Sequence, residues 1–144
     1  MPTDSRPPRG VTLLQTPFLC VDHDEPRKLV RYTRSSRGFA SIAELDDAHL
    51  GLIRTFQRLD RPRLNLLVDL RDAPPRNDPA FEQAIARHRG PMMQGFRRVA
   101  ILVKSVVGGL QVRRHMSDDG TISQITQDEE EALRYLGVAG VSDV

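Results

Sequence analysis

Asp22-His23-Asp24-Glu25 sets four side chains of metal-ligating type in a row. Neighbouring residues of an extended turn point in alternating directions, so such a run closes on an ion only with ligands from elsewhere. A solvated turn is the simpler expectation, and no metal is expected. His49 and His88 fall on the apolar stripes of two helical segments, where a coupled pair would sense pH. Histidines so placed more often sit at the core margin with one nitrogen satisfied. Cys20, between Leu19 and Val21, reads as a small buried hydrophobe that can form no internal disulfide. Ser105 has no base fixed beside it, and Gly108-Gly109 lacks the spacing of a phosphate loop. These residue types predict no enzyme and no cofactor.

The elements that would position them centre on Leu64–Asp78, LNLLVDLRDAPPRND. Leu64, Leu66, Leu67, Val68 and Leu70 form an apolar run suited to a strand covered on both faces. Charge follows at Asp69-Leu70-Arg71-Asp72, Pro74-Pro75 forbid regular structure, and Asn77 or Asp78 caps a helix with Pro79 in its first turn. Before this strand, Val11–Leu14, Phe18–Val21 and Lys28–Thr33 read together as a β-hairpin. Ser41 and Glu44 then form a capping box, opening a helix that ends near Pro62. After it come a helix from Asp78 to about Arg89, ended or kinked by Gly90-Pro91, and a second buried strand at Arg97–Val103. Val106–Met116 is a weak short helix, Asp118–Gly120 a turn and Ile122–Thr126 the last strand. A final helix is capped by Thr126 with Glu129 and stopped by Gly137. Strands separated by helices imply parallel crossovers. The expected fold class is α/β: a small mixed, mostly parallel sheet of four or five strands with flanking helices.

The chain has 144 residues, enough for one domain with a real core, here residues 11–137 between a disordered Pro/Arg leader (1–10) and a fraying tail (138–144). No apolar run approaches membrane-spanning length and the leader has no apolar core, which predicts no membrane insertion and a cytoplasmic protein. Of the 21 basic side chains 20 lie before residue 115, whereas 7 of the 19 acidic ones lie after it, so the body carries +8 and the C-terminal part −6. All the basic residues but Lys28 and Lys104 are arginine, the side chain suited to planar contacts with carboxylates and phosphates. The arginines are scattered, no stacking aromatics interleave them and the C-terminal helix is acidic, so nucleic acid is not an expected partner.

The element order, with the strands LNLLVDLRDAP and FRRVAILV and the ending ITQDEEEALRYLG, resembles the STAS domain of anti-sigma-factor antagonists, and in particular its SpoIIAA-like group. The resemblance spans about Val11 to Gly137. It implies a non-catalytic regulatory or scaffolding domain that binds another protein through strand-end loops and the helix after the central strand. In the phospho-regulated members a serine begins that helix. Here Arg71–Ala80 contains no Ser, Thr or Tyr, so that switch is not expected.

Arg71, Asp72, Arg76, Asn77 and Asp78, with the exposed faces of the Phe81–Arg89 helix, are the expected partner-binding residues; the partner is another protein or a second copy of this chain. Pro74-Pro75 would pre-organise the loop. Arg34, Arg37, Arg71, Lys104 and Ser105 fall at the carboxyl ends of strands, where α/β sheets gather ligands, and form a candidate anion site. The plainer arrangement is a solvated rim with local pairs such as Arg71 with Asp72. Relatedness of the SpoIIAA-like group to Sec14-like lipid binders implies an alternative, a carrier of a lipid or an anionic metabolite. That reading requires an enclosed apolar pocket near Met92, Met93, Phe96 and Leu110.

Overall fold

The chain enters through three antiparallel strands, β1 (Val11–Gln15), β2 (Leu19–Asp24) and β3 (Leu29–Arg34). The structure, a computed structural model, describes residues 10–74, 78–105 and 124–138. Thr16 makes the first reversal. Its N–H donates to Leu19 O at 2.9 Å, and its hydroxyl accepts from the Phe18 and Leu19 amides at 3.1 and 3.2 Å. A threonine hydroxyl satisfying backbone in this way turns the chain without glycine. The expected hairpin is therefore a three-stranded meander, and the sheet has six strands rather than four or five. The second reversal closes where the Lys28 N–H donates to Glu25 O at 3.0 Å, with Lys28 in the left-handed region at φ 54°.

From β3 onward the sheet is parallel: β4 (Asn65–Asp69), β5 (Arg98–Leu102) and β6 (Gln124–Thr126) follow in sequence order. Helix α1 (Ile42–Gln57) connects β3 to β4, α2 (Pro79–Met93) connects β4 to β5, and α3 (Glu129–Leu136) follows β6. The fold is α/β with a mixed, mostly parallel sheet, as the alternation of elements predicts. The expected helix at 106–116, the turn at 118–120 and the first residues of the last strand lie outside the described residues.

Period-two alternation divides the core. Val30, Tyr32, Leu66, Val68, Val99 and Ile101 meet Leu52 and Phe56 of α1 and Met92 and Met93 of α2. On the opposite face Leu29, Leu67, Ala100 and Leu102 meet Ala132, Leu133 and Leu136 of α3. Every residue of β4 is buried, which is why Leu66, Leu67 and Val68 follow one another without alternation, and Asn65 and Asp69 at its ends are buried polar groups.

The helix ends follow local chemistry. Ser41 Oγ accepts from the Glu44 amide at 3.1 Å, and the Glu44 carboxylate accepts from the Ala40 amide at 2.7 Å. Asp78 caps α2 by accepting from the Ala80 amide at 3.0 Å. Two expectations change. Helix α2 does not stop near Arg89 but continues through Gly90-Pro91 to Met93. A proline inside a helix costs about 3 kcal/mol; burial of Met92 and Met93, roughly 2 kcal/mol each, offsets it. The cap of α3 is Asp128, accepting from the Glu130 amide at 3.0 Å, rather than Thr126. Thr126 Oγ1 instead accepts from the Asp128 amide and donates to Glu131. Gly137, at φ 73°, ends α3: its N–H donates to Arg134 O, the next amide donates to Leu133 O, and Val138 packs into the α3 core.

Candidate functional site

Parallel pairing brings the carboxyl ends of β3, β4 and β5 to one edge. On the α3 face of that edge lies a network of four charges. Asp69, the last residue of β4, is 5% exposed. Its Oδ1 accepts from Arg71 Nε at 2.9 Å and from the Arg71 amide at 3.1 Å. Its Oδ2 accepts from Arg71 Nη2 at 2.8 Å and from Arg31 Nη2 at 3.0 Å. Arg31 and Arg71 both reach Glu129 in the first turn of α3. Arg31 Nη1 donates to Oε2 at 3.1 Å, Arg31 Nη2 to Oε1 at 3.2 Å and Arg71 Nη2 to Oε1 at 3.1 Å.

Two positive and two negative groups neutralise each other in this network. Burial raises the Asp69 pKa, but the hydrogen bonds from Arg71 and the charges of Arg71 and Arg31 outweigh it and hold the carboxyl below its ordinary range. The Arg31 hydrogen bond does the same for Glu129. Hydrogen bonding to Asp69 raises Arg71; for Arg31, burial lowers the pKa but the Glu129 and Asp69 carboxylates outweigh it. All four groups are therefore ionised at neutral pH. This corrects the expected local pair: Arg71 bonds Asp69 and Glu129, and the pairing with Asp72 is not formed.

On the α1/α2 face of the same edge, Arg34 and Arg37 lie with Phe18 and Phe39. The Arg34 guanidinium sits 4.7 Å from the Phe39 ring centroid and that of Arg37 5.6 Å from Phe18; the two rings are 4.7 Å apart. Phe39 packs with Phe81 and Ala84 at the start of α2. Lys104 and Ser105 are exposed beyond β5, where Lys104 O accepts from Gln127 Nε2 at 3.1 Å. The expected anion set is thus divided between two faces, with Arg71 on one and Arg34 and Arg37 on the other. Of the expected partner-binding residues, Asp72 and Asp78 are exposed, and Arg76 and Asn77 lie outside the described residues.

Between α1 and α2 the expected histidine pair does meet. The rings stack 5.1 Å apart at 11°. His49 Nδ1 donates to Leu45 O at 2.9 Å, and His88 Nε2 donates to Asp46 Oδ1 at 2.8 Å. Burial lowers the His49 pKa to about 4. A cavity of about 50 Å³ lies beside them, lined by Tyr32, His49, Arg89, Met92 and Met93 among others. Phe96 is elsewhere, edge-on to Phe56 at 5.1 Å. Leu110 lies outside the described residues.

At the opposite edge, the Asp22–Glu25 run is engaged locally. Asp22 accepts from Thr12 Oγ1 at 2.7 Å, His23 is 3.2 Å from Glu25, and Glu25 bonds Lys28 at 2.8 Å. Among the described residues no three His, Cys, Asp or Glu side chains are grouped to hold a metal. Cys20 is half-buried rather than buried, because it faces away from Leu19 and Val21 towards Asp22, at 3.7 Å. Burial and the Asp22 carboxylate raise its pKa, so it is a poor nucleophile.

Sequence reasoning did not select Arg31, Asp69 or Glu129. Asp69 did carry a signal: a carboxylate at the end of a run buried on both faces needs a cation. Which cation answers it is not local information. Among the described residues no helix is long and apolar enough to cross a membrane. Comparison of this chain with protein-family models, with curated proteins and with solved structures finds no match.

Proposed function

We propose that this chain is a non-catalytic, STAS/SpoIIAA-like interaction domain that engages another protein through the carboxyl edge of its sheet. The observation that supports this reading is the saturation of Asp69. Each oxygen accepts two hydrogen bonds from arginine groups, so the strand-end carboxylate is held ionised and has no role left as an acid or base. The same bonds make Arg71 a fastener. Its backbone amide and its side chain both hold Asp69, which anchors the loop leaving β4 on a rigid strand. An anchored loop loses little entropy on binding. The contact surface is then Asp72 and the flank of Asp78, continuing onto exposed Gln83 and Arg87 of α2, with Arg76 and Asn77 joining Asp72 to Asp78 in sequence.

The carrier alternative requires an apolar pocket at Met92 and Met93, and a cavity does lie there. At about 50 Å³ it has room for a few water molecules. Ordinary ligand pockets hold roughly 300–1,000 Å³. The larger cleft of about 270 Å³, between His23, Lys28, Arg58 and Arg63 at the opposite edge, is polar.

The test is capture of a stoichiometric partner from the native host by the wild-type chain and by the double variant Asp72→Arg, Gln83→Arg. Both positions are exposed, so the circular dichroism spectrum should not change. Loss of the partner supports the edge as the contact surface. Undiminished capture by the folded variant removes it.

A further inference from the structure

Arg34 departs from the rule that buried charges are paired. It is 6% exposed, yet among the described residues its guanidinium donates only to two backbone carbonyls, Ser35 O at 3.4 Å and Arg37 O at 3.1 Å, besides lying over Phe39. Among the described residues no carboxylate reaches it. Burial lowers its pKa, the direction of a cation short of counter-charge. Arg37 is exposed, and its guanidinium likewise meets the Phe18 ring and no carboxylate among the described residues. The contrast with the other face of the sheet is complete: there Arg31 of the same strand and Arg71 after β4 saturate both of their carboxylates.

The platform is fixed before any ligand arrives. The Ser35 amide donates to Phe18 O at 2.8 Å and its hydroxyl to Pro17 O at 2.6 Å, while the same hydroxyl accepts from the Arg37 amide at 3.2 Å. Ser35 thereby ties the β1–β2 turn to the exit of β3, holding Phe18 beneath Arg37 and Phe39 beneath Arg34. Aromatic faces take the flat sides of the guanidinium groups and leave N–H edges for an oxyanion. Phe39 also packs on Phe81 of α2, so the platform adjoins the contact surface described above.

We propose that Arg34 and Arg37, backed by Phe18 and Phe39, receive a carboxylate from an acidic segment of the partner protein. This rests on the interaction-domain reading and supplies the chemistry of the partner. An acidic side chain brings the charge that Arg34 lacks and makes planar contacts with Arg37.

The experiment titrates the full, isotope-labelled chain with a hexaglutamate peptide and, separately, with inorganic phosphate, following the arginine Nε–H and backbone amide signals. The expected result is saturable peptide-induced shifts at Arg34, Arg37 and the Ser35–Phe39 amides, weakening as salt rises. Arg37→Ala should bind roughly tenfold more weakly, and Arg37→Glu should not bind. Arg37 is exposed, so both variants fold even if substitution of Arg34 does not. Absence of peptide shifts at these positions, shifts that persist in Arg37→Glu, or a response there to phosphate alone would each overturn the proposal. If the peptide fails while the Asp72→Arg, Gln83→Arg variant still releases its partner, the acidic-segment proposal falls and the interaction domain stands. If the peptide binds while that variant retains the partner, the platform stands and the wider contact surface falls.

Discussion

Asp69 shows what one buried carboxylate asks of its surroundings. Both of its oxygens are saturated by arginine, so Asp69→Asn removes the negative half of two contacts and leaves Arg31 with Glu129 alone. Breaking such a pair from one side is more costly than never having built it. Asp69→Asn should lower the unfolding free energy by about 3 kcal/mol in urea denaturation. The acid response follows from the same residues. Asp69 and Glu129 have folded pKa values below their unfolded ones, so their stabilisation is complete above the unfolded values near pH 4 and is lost as pH falls through the folded ones. His49 acts earlier. Its folded pKa of about 4 lies below an unfolded value near 6.5, so the unfolded state binds the proton first and stability falls as pH drops between these values. The slope approaches 1.4 kcal/mol per pH unit. Denaturation at pH 7 and 5 should show this loss in the wild type and not in His49→Gln.

At the scale of the element, α3 carries more than its eight residues suggest. It covers its face of the sheet with Ala132, Leu133 and Leu136, and its first turn supplies Glu129 to both arginines. Leu136 is fully buried, so Leu136→Ala should cost about 3 kcal/mol. Gly137→Ala should cost only about 1 kcal/mol. A β-carbon there meets nothing nearer than Arg97 Nη1 at 4.0 Å, so the cost is the left-handed backbone alone. Equal losses from the two substitutions in chemical denaturation would contradict this assignment. The sequence marks this helix well, through its acidic start and its glycine stop. It misplaces the cap by two residues, because Thr126 and Asp128 are both competent caps. The choice depends on Glu131, which takes the Thr126 hydroxyl.

At the scale of the whole molecule, one sheet separates two cores. Leu52 belongs to the α1/α2 side and Leu136 to the α3 side, with no shared partner. Their alanine substitutions should therefore add to within about 0.5 kcal/mol. Asp69→Asn and Glu129→Gln share Arg31 and Arg71, and should depart from additivity by about 1 kcal/mol or more. A double-mutant cycle on each pair, measured by urea denaturation, checks both statements. Additivity of the charged pair would mean that the four groups do not act as a network.

Among the described residues, local sequence is enough to mark most of the elements and their kinds. Apolar period, the Ser41–Glu44 box, Pro79 after Asp78 and the Gly137 stop act within one or two turns of chain, so their physics is complete in the local residues. Alternation of those elements was enough to imply a mostly parallel α/β sheet. The reversal that makes β1 and β2 separate strands was less legible, since Thr16 turns the chain with a hydroxyl where glycine or asparagine would have marked a turn. The partner of each charge belonged to the tertiary structure alone. Arg31 and Glu129 are 98 residues apart, and only the pairing of β3 with β4 and the docking of α3 bring them together. The same register places Arg31 and Arg34 on opposite faces of one strand. One guanidinium is half-buried against carboxylates and the other is buried against phenylalanine, a difference that residue type does not carry and position in the fold does.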